Sequence, residues 1–271
     1  MKEEKKHVGR PKLADTKLKK QSIIIIEICI IAIIVLLFCA LYSSKNNMSR
    51  LSGKYSSTAY PILHGKRMLM YGTSIGKGTK SYKTYSLSWG LKKTERTPFI
   101  KIIAINNDMK FSKKDNKSEG GCGGVYAPDG KSPGYFNYIL KLKKRKIKKY
   151  DFLIIEGFAN DSENENENID VFRKEFDKAL KHLKKYKKSS AKIIVVLTPK
   201  LPASYGQKMI DRQWYFWGAA ESIAHKNNVN LCDTYNVDAK YKVGNGDHPS
   251  IEGHENMAEV VQECMVNAKF Y

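Results

Sequence analysis

Lys66-Arg67-Met68-Leu69-Met70-Tyr71-Gly72-Thr73-Ser74-Ile75-Gly76 decides the fold class. An apolar run of strand length ends in a glycine, a threonine and a serine, residue types that favour a tight turn and the start of a helix. Two later stretches repeat the theme. Asp151 to Glu156 is strand-like and runs into Gly157-Phe158-Ala159-Asn160-Asp161, and Lys192 to Leu197 reads KIIVVL. Apolar strands alternating with helix-length segments predict a parallel sheet covered by helices on both faces.

Working outward, the pattern gives strands over Lys66–Tyr71, Phe99–Ile105, Asp151–Glu156, Lys192–Leu197 and Val229–Cys232. Helices are expected over Ser81–Lys93, Tyr135–Lys149 (strongly basic), Ile169–Lys187, Gln207–Asn227 and Ile251–Lys269. Residues 106–134 form a Gly-, Lys- and Asp-rich loop longer than ordinary connections, and such loops often carry function. The acidic run Asp161–Asp170 reads as a solvated loop, and it lacks the glycine of an EF-hand. Right-handed crossovers and a flavodoxin-like order of 2-1-3-4-5 put the ends of strands one and three side by side. Ser74 and Asn160 then meet at the switch point.

Ser74 is the nucleophile candidate, and a serine hydroxyl needs a base to take its proton. His248, in Asp247-His248-Pro249-Ser250-Ile251-Glu252-Gly253, is the candidate base. His182, His225 and His254 fall in helical runs and read as ordinary. Each candidate also has a structural reading: a helix cap for Ser74 and His248, a turn residue for Asn160.

The order and spacing of these blocks, over roughly residues 64 to 268, resemble the SGNH (GDSL-type) hydrolases, a family of esterases and acetyl-transfer enzymes. The resemblance implies a three-layer α/β/α fold with a five-stranded parallel sheet. It makes Ser74 the nucleophile and His248 the base. It forms the oxyanion hole from the Ser74 N–H, the Asn160 side chain and a loop glycine, assigned to Gly124 of the Gly120-Gly121-Cys122-Gly123-Gly124 cluster. Three positions depart from the family pattern. Thr73 stands for the aspartate of Gly-Asp-Ser, Phe158 for the second glycine of Gly-Gly-Thr-Asn-Asp, and Asn245 for the aspartate three residues before the histidine. Asn245 can orient an imidazole but cannot stabilise imidazolium as a carboxylate does. A Ser-His dyad, an acid from elsewhere, and a weakened or absent activity are the alternatives. No metal or other cofactor is required, and no His/Cys spacing suggests zinc.

Residues 23–42 read IIIIEICIIAIIVLLFCALY, twenty residues that are apolar except for Glu27 and long enough for a transmembrane helix. Residues 1–22 form a tail with eight Lys/Arg, which the positive-inside rule holds in the cytoplasm. This arrangement is a signal-anchor, single-pass in the cell membrane, with the C-terminal domain extracellular. A cleaved signal peptide is the alternative, but the apolar run is long for one and no A-x-A site follows. Residues 43–65 read as a stalk and 66–271 as the single hydrolase-like domain.

The formal charge is +21, of which +17 lies beyond the tail and Glu27. Such a surface suits anionic neighbours: head groups, anionic cell-surface polymers or acidic glycans. Gly9-Arg10-Pro11-Lys12 has the form of an AT-hook core, but its expected place beside a membrane anchor argues against nucleic acid. Outside the membrane run stand Cys122, Cys232 and Cys264, so at most one disulfide is expected. Trp214-Tyr215-Phe216-Trp217 reads as core packing or as a sugar-stacking platform. The functional expectation is an esterase or acetyl-transfer enzyme acting on an acylated glycan. The alternative is a binding module that kept the fold and lost the chemistry.

Overall fold

The computed structural model of the chain describes residues 60–78, 98–164, 167–241 and 248–269, all within one compact unit, Ser56–Tyr271. The basic tail, the Ile23–Tyr42 run and the expected helix Ser81–Lys93 lie outside the described residues. Among the described residues no helix is long and apolar enough to cross a membrane.

Four parallel strands form the sheet in the order β1 (Met68–Tyr71), β2 (Phe152–Gly157), β3 (Lys192–Leu197), β4 (Asn230–Asp233). Met68 pairs with Phe152, Ile155 with Val195, and Val196 with Cys232. Side chains alternate with the strand period of two. Leu69, Tyr71, Leu153, Ile155, Ile193 and Val195 face one apolar layer. Met68, Met70, Phe152, Ile154, Ile194 and Val196 face the other. Burial on both faces is why these strands are apolar throughout.

The expected five strands become four, and the missing one is instructive. Phe99–Asn106 is a helix, α2, where a strand was expected. Its β-branched residues suggest a strand, yet Phe99, Ile102 and Ile103 recur at helical spacing and are buried, whereas Ile105 is exposed. The edge place beside β1 falls instead to part of the long loop, through isolated parallel bridges of Arg67 with Lys110 and Met70 with Asn116. The expected helix Tyr135–Lys149 is two: α3 (Tyr135–Leu140) and α4 (Lys144–Ile147). The buried residues step by three from Ile139 to Leu142 and then by five to Ile147, so one continuous helix cannot bury them all.

The remaining helices are α1 (Ser74–Lys77), α5 (Ala159–Glu163), α6 (Ile169–Tyr186), α7 (Gln207–Lys226) and α8 (Ile251–Asn267). Helices α3, α6 and α7 cover one face of the sheet. Helices α2 and α8 cover the other and are joined by Asn107 Nδ2 donating to Gln262 Oε1 at 2.8 Å. β1 and β2 are neighbours, so the turns carrying Ser74 and Asn160 emerge side by side at the carboxyl end of the sheet, the end where such folds hold their ligands. The last residues of the expected stalk pack onto this domain: Leu63 is buried and the Tyr60 N–H donates to Asn107 Oδ1 at 2.7 Å.

Candidate active site

The chain leaves β1 at Tyr71, turns at Gly72-Thr73 and enters α1 at Ser74, which is 4% exposed. Thr73 caps the helix, its Oγ1 accepting from the Ile75 N–H at 3.3 Å. The turn rests on a buried carboxyl from the neighbouring strand. The Thr73 N–H donates to Glu156 Oε2 and the Thr73 hydroxyl to Glu156 Oε1, both at 2.9 Å. A Cβ on Gly72 would stand 2.2 Å from Glu156 Oε2, and one on Gly76 2.8 Å from it. The glycines of the motif therefore leave room for this carboxyl. Burial pushes Glu156 up to about 7, against hydrogen bonds from Thr73 and Gly76 and the pull of His248.

The second turn leaves β2 at Gly157. Phe158 sits at φ 87°, ψ −5°, the left-handed region that favours glycine. Here lies the physical content of the departure from Gly-Gly-Thr-Asn-Asp. The backbone keeps a conformation suited to glycine, and the side chain gained is fully buried, with its ring 5.5 Å from Phe172 and 5.3 Å from Phe176. Two residues on, Asn160 Nδ2 donates to the Cys122 carbonyl at 3.1 Å, fastening the glycine-rich loop to the site. An amide nitrogen has two N–H groups, so a second donor remains in its inventory.

Gly124 does not suit the role assigned to it. Its N–H donates to Asp161 Oδ1 at 2.6 Å, and a Cβ there would lie 2.3 Å from the Phe136 ring, so the residue turns toward the core. The run Asp161–Asp170 is likewise not wholly solvated. Asp161 and Glu167 are both buried. Burial and the adjacent Asp161 push the Glu167 carboxyl well above the usual carboxylate range. Arg212 of α7 fastens this loop, donating to the carbonyls of Ser162 at 2.7 Å, Asn164 at 2.8 Å and Glu167 at 2.9 Å.

His248 is half-buried just ahead of α8. The helix start is fixed by Ser250, whose Oγ accepts from the Gly253 N–H and whose N–H donates to the Ala239 carbonyl, each at 3.1 Å. A Cβ on Gly253 would fall 1.9 Å from the Ala239 oxygen, so only glycine allows this approach. The Cys232–Cys264 disulfide ties α8 to β4. Asn245 and Asp247 lie outside the described residues. His182 Nε2 contacts the Leu142 carbonyl at 3.0 Å and His225 lies 3.6 Å from Glu221, both on helices away from these turns. His254 is buried within α8.

Glu156 underlies the first of these turns: its carboxyl accepts from both the N–H and the hydroxyl of Thr73, the residue before Ser74. Its signal in the sequence is a glutamate closing an otherwise apolar buried strand, outside the motif blocks. Cys122 is buried and its thiol is pushed up to about 11, chiefly by burial, which leaves it a poor nucleophile. Phe216 and Trp217 are core, whereas Trp214 is 50% and Tyr215 70% exposed. Trp214 packs 4.3 Å from Tyr235, a residue just past the carboxyl end of β4.

No family model matches the chain, and no curated protein matches it. Solved structures do. An acetylxylan esterase from Geobacillus stearothermophilus is 15% identical with a TM-score of 0.52, covering 76% of this chain and 96% of its own. A lipase/acylhydrolase from Enterococcus faecalis is 16% identical with a TM-score of 0.52, covering 76% and 98%. A carbohydrate acetylesterase family member from Sinorhizobium meliloti is 12% identical with a TM-score of 0.54, covering 74% and 97%. At such identities the likeness is one of architecture, and it agrees with the parallel sheet and motif-bearing turns described above. The chain has an SGNH hydrolase-like α/β fold.

Proposed function

We propose that this protein is a serine ester hydrolase or acetyl-transfer enzyme. The observation that carries the reading is the juxtaposition of the Ser74 and Asn160 turns on neighbouring strands, with the buried Glu156 accepting from both the N–H and the hydroxyl of Thr73. Ser74 Oγ attacks an ester carbonyl while His248 takes its proton. The Ser74 N–H and the second N–H of Asn160 hold the oxyanion, a role the first turn of a helix favours. The tetrahedral intermediate collapses, His248 protonates the departing alcohol, and an acyl-Ser74 remains. Water, or an acceptor hydroxyl in acetyl transfer, then attacks the acyl group with His248 again as base. An ionised Glu156 favours the imidazolium formed in each half-reaction.

The substrate we assign is an acylated glycan. The exposed Trp214, backed by Tyr235, offers an aromatic face of the kind sugars stack on, and two of the structural neighbours are described as carbohydrate esterases. The protein is anchored through residues 23–42 with its N-terminus cytoplasmic and its domain outside, and the Cys232–Cys264 disulfide fits an oxidising compartment. Protease added to intact cells should remove the domain and spare the tail. Protection of the domain would contradict this orientation.

Turnover of p-nitrophenyl acetate by the full chain tests the chemistry. Ser74→Ala and His248→Ala should each lower kcat by about 10³-fold or more. Asn245→Asp should raise turnover about tenfold, because a carboxylate at that place supports imidazolium. An unchanged rate in Ser74→Ala excludes the nucleophile. The second reading, a binding module without chemistry, is favoured by Phe158, which replaces a family glycine beside the site. It predicts no turnover from the parent protein.

A further inference from the structure

The turns around Ser74 close on buried acids, whereas the open flank of β1 has the opposite character. There the segment 110–119 runs along the strand edge, with the Lys117 N–H donating to the Met70 carbonyl at 2.8 Å and the Glu119 N–H to the Gly72 carbonyl at 3.0 Å. Between this segment and α4 lies a cleft of about 310 Å³. Six cations line it: Arg67, Lys114, Lys117, Arg145, Lys146 and Lys149. Among the ion pairs of the described residues, none includes any of the six.

The floor of the cleft is a built structure. Tyr150 and Asp115 are buried in it, the Tyr150 hydroxyl donating to Asp115 Oδ1 at 2.8 Å. Asp115 Oδ2 accepts from the Ser112 N–H at 3.1 Å and the Ser112 hydroxyl at 2.5 Å. The one carboxylate in the cleft is thus hydrogen-bonded by neutral donors, with Arg67 acting on it only through its charge, which leaves five further cations around it. Arg67 lies over the Tyr150 ring, its guanidinium carbon 5.6 Å from the centroid, and its backbone N–H is fixed by Asp151 Oδ2 at 2.9 Å. The buried Arg67 Nε has no hydrogen-bond partner among the described residues. A buried guanidinium donor left unmade is costly, so the side chain at the cleft floor is short of an acceptor.

We propose that this cleft binds a phosphate ester, with the Arg67 fork at its base and the Lys114, Lys117, Arg145, Lys146 and Lys149 cations around it. Phosphate suits a guanidinium fork surrounded by ammonium groups because it offers several acceptor oxygens at high charge density. The volume reaches the lower end of small-molecule sites, roughly 300 Å³, so the cleft accommodates the esterified group as well as the phosphate. The phosphate can come from a soluble phosphorylated molecule or from a lipid head group. Neither source depends on Ser74 chemistry.

The test titrates the full chain with tripolyphosphate and, separately, with phosphatidylglycerol-containing vesicles. Arg145→Glu/Lys149→Glu is compared with a control of equal charge change on exposed residues elsewhere, Lys131→Glu/Lys174→Glu. Arg67→Gln is a second, milder probe of the cleft floor. In at least one of the two titrations the cleft double variant should bind about tenfold more weakly than the control, and Arg67→Gln about fivefold more weakly than the parent. Cleft-dependent loss with tripolyphosphate assigns a soluble ligand, and loss confined to vesicles assigns a head group. Equal losses in the cleft and control variants, or no binding in either titration, overturn the proposal.

Discussion

The two halves of the candidate site are held in place by different forces. The Ser74 turn is closed over a buried carboxyl group, Thr73 on Glu156, and Asp161, next to Asn160, holds the glycine-rich loop through the Gly124 N–H. His248 stands on a turn closed by covalent and steric means, the Cys232–Cys264 disulfide and the contact of Gly253 with the Ala239 carbonyl. The first half therefore answers to protons and the second to reductant. A nucleophile and its base need a fixed mutual geometry, and in the proposed function that geometry would depend on two unrelated devices that can be loosened one at a time.

The largest effect is expected on the covalent side. The disulfide closes a loop with a sequence separation of 32, so Cys264→Ser should cost about 3–4 kcal/mol in denaturant unfolding. It should leave the pH response of the Glu156 turn as it is. If that response vanishes with the disulfide, the two halves are not separable.

The proton side comes next. Glu156 is raised from 4.5 to about 7 by burial. A raised acid contributes its stability in full below its unfolded pKa and loses it as pH climbs through the folded one. Stability should thus fall between pH 4.5 and pH 7, by an amount on the order of 3 kcal/mol from this group. Glu156→Gln keeps an acceptor for the Thr73 N–H and should flatten that part of the curve. An identical pH dependence in parent and variant would remove Glu156 from the account.

The smallest effect is the difference between two truncations of Phe158. Truncation to alanine forfeits the buried ring at about 3–5 kcal/mol. Phe158→Gly loses the same ring but relieves the left-handed backbone, so it should be more stable than Phe158→Ala by about 1 kcal/mol. Alanine ordinarily outranks glycine in structured backbone, and finding that usual order here would mean that φ at Phe158 is not positive.

What could be read from the sequence divides along physical lines. Lys192–Leu197 was legible to the residue because a strand buried on both faces has little choice but to be apolar. The neighbouring turns of Ser74 and Asn160 followed from strand order. Phe99–Asn106 was not legible as a helix by β-branching, since the helical recurrence of its buried residues decides the matter. The engagement of the Gly124 N–H was not legible because its partner, Asp161, is 37 residues away in the chain. Glu156 carried a signal in the sequence itself, a lone charge in FLIIEG, whose meaning appears only when Gly72 and Gly76 fold over it.

The central claim is that Ser74 is an activated nucleophile. Incubating the full chain with a serine-reactive phosphonate and locating the adduct by mass spectrometry tests it directly. The account predicts a single adduct on Ser74, abolished in Ser74→Ala and strongly slowed in His248→Ala. Absence of labelling in the parent protein, or an adduct on another serine that persists in Ser74→Ala, would contradict it.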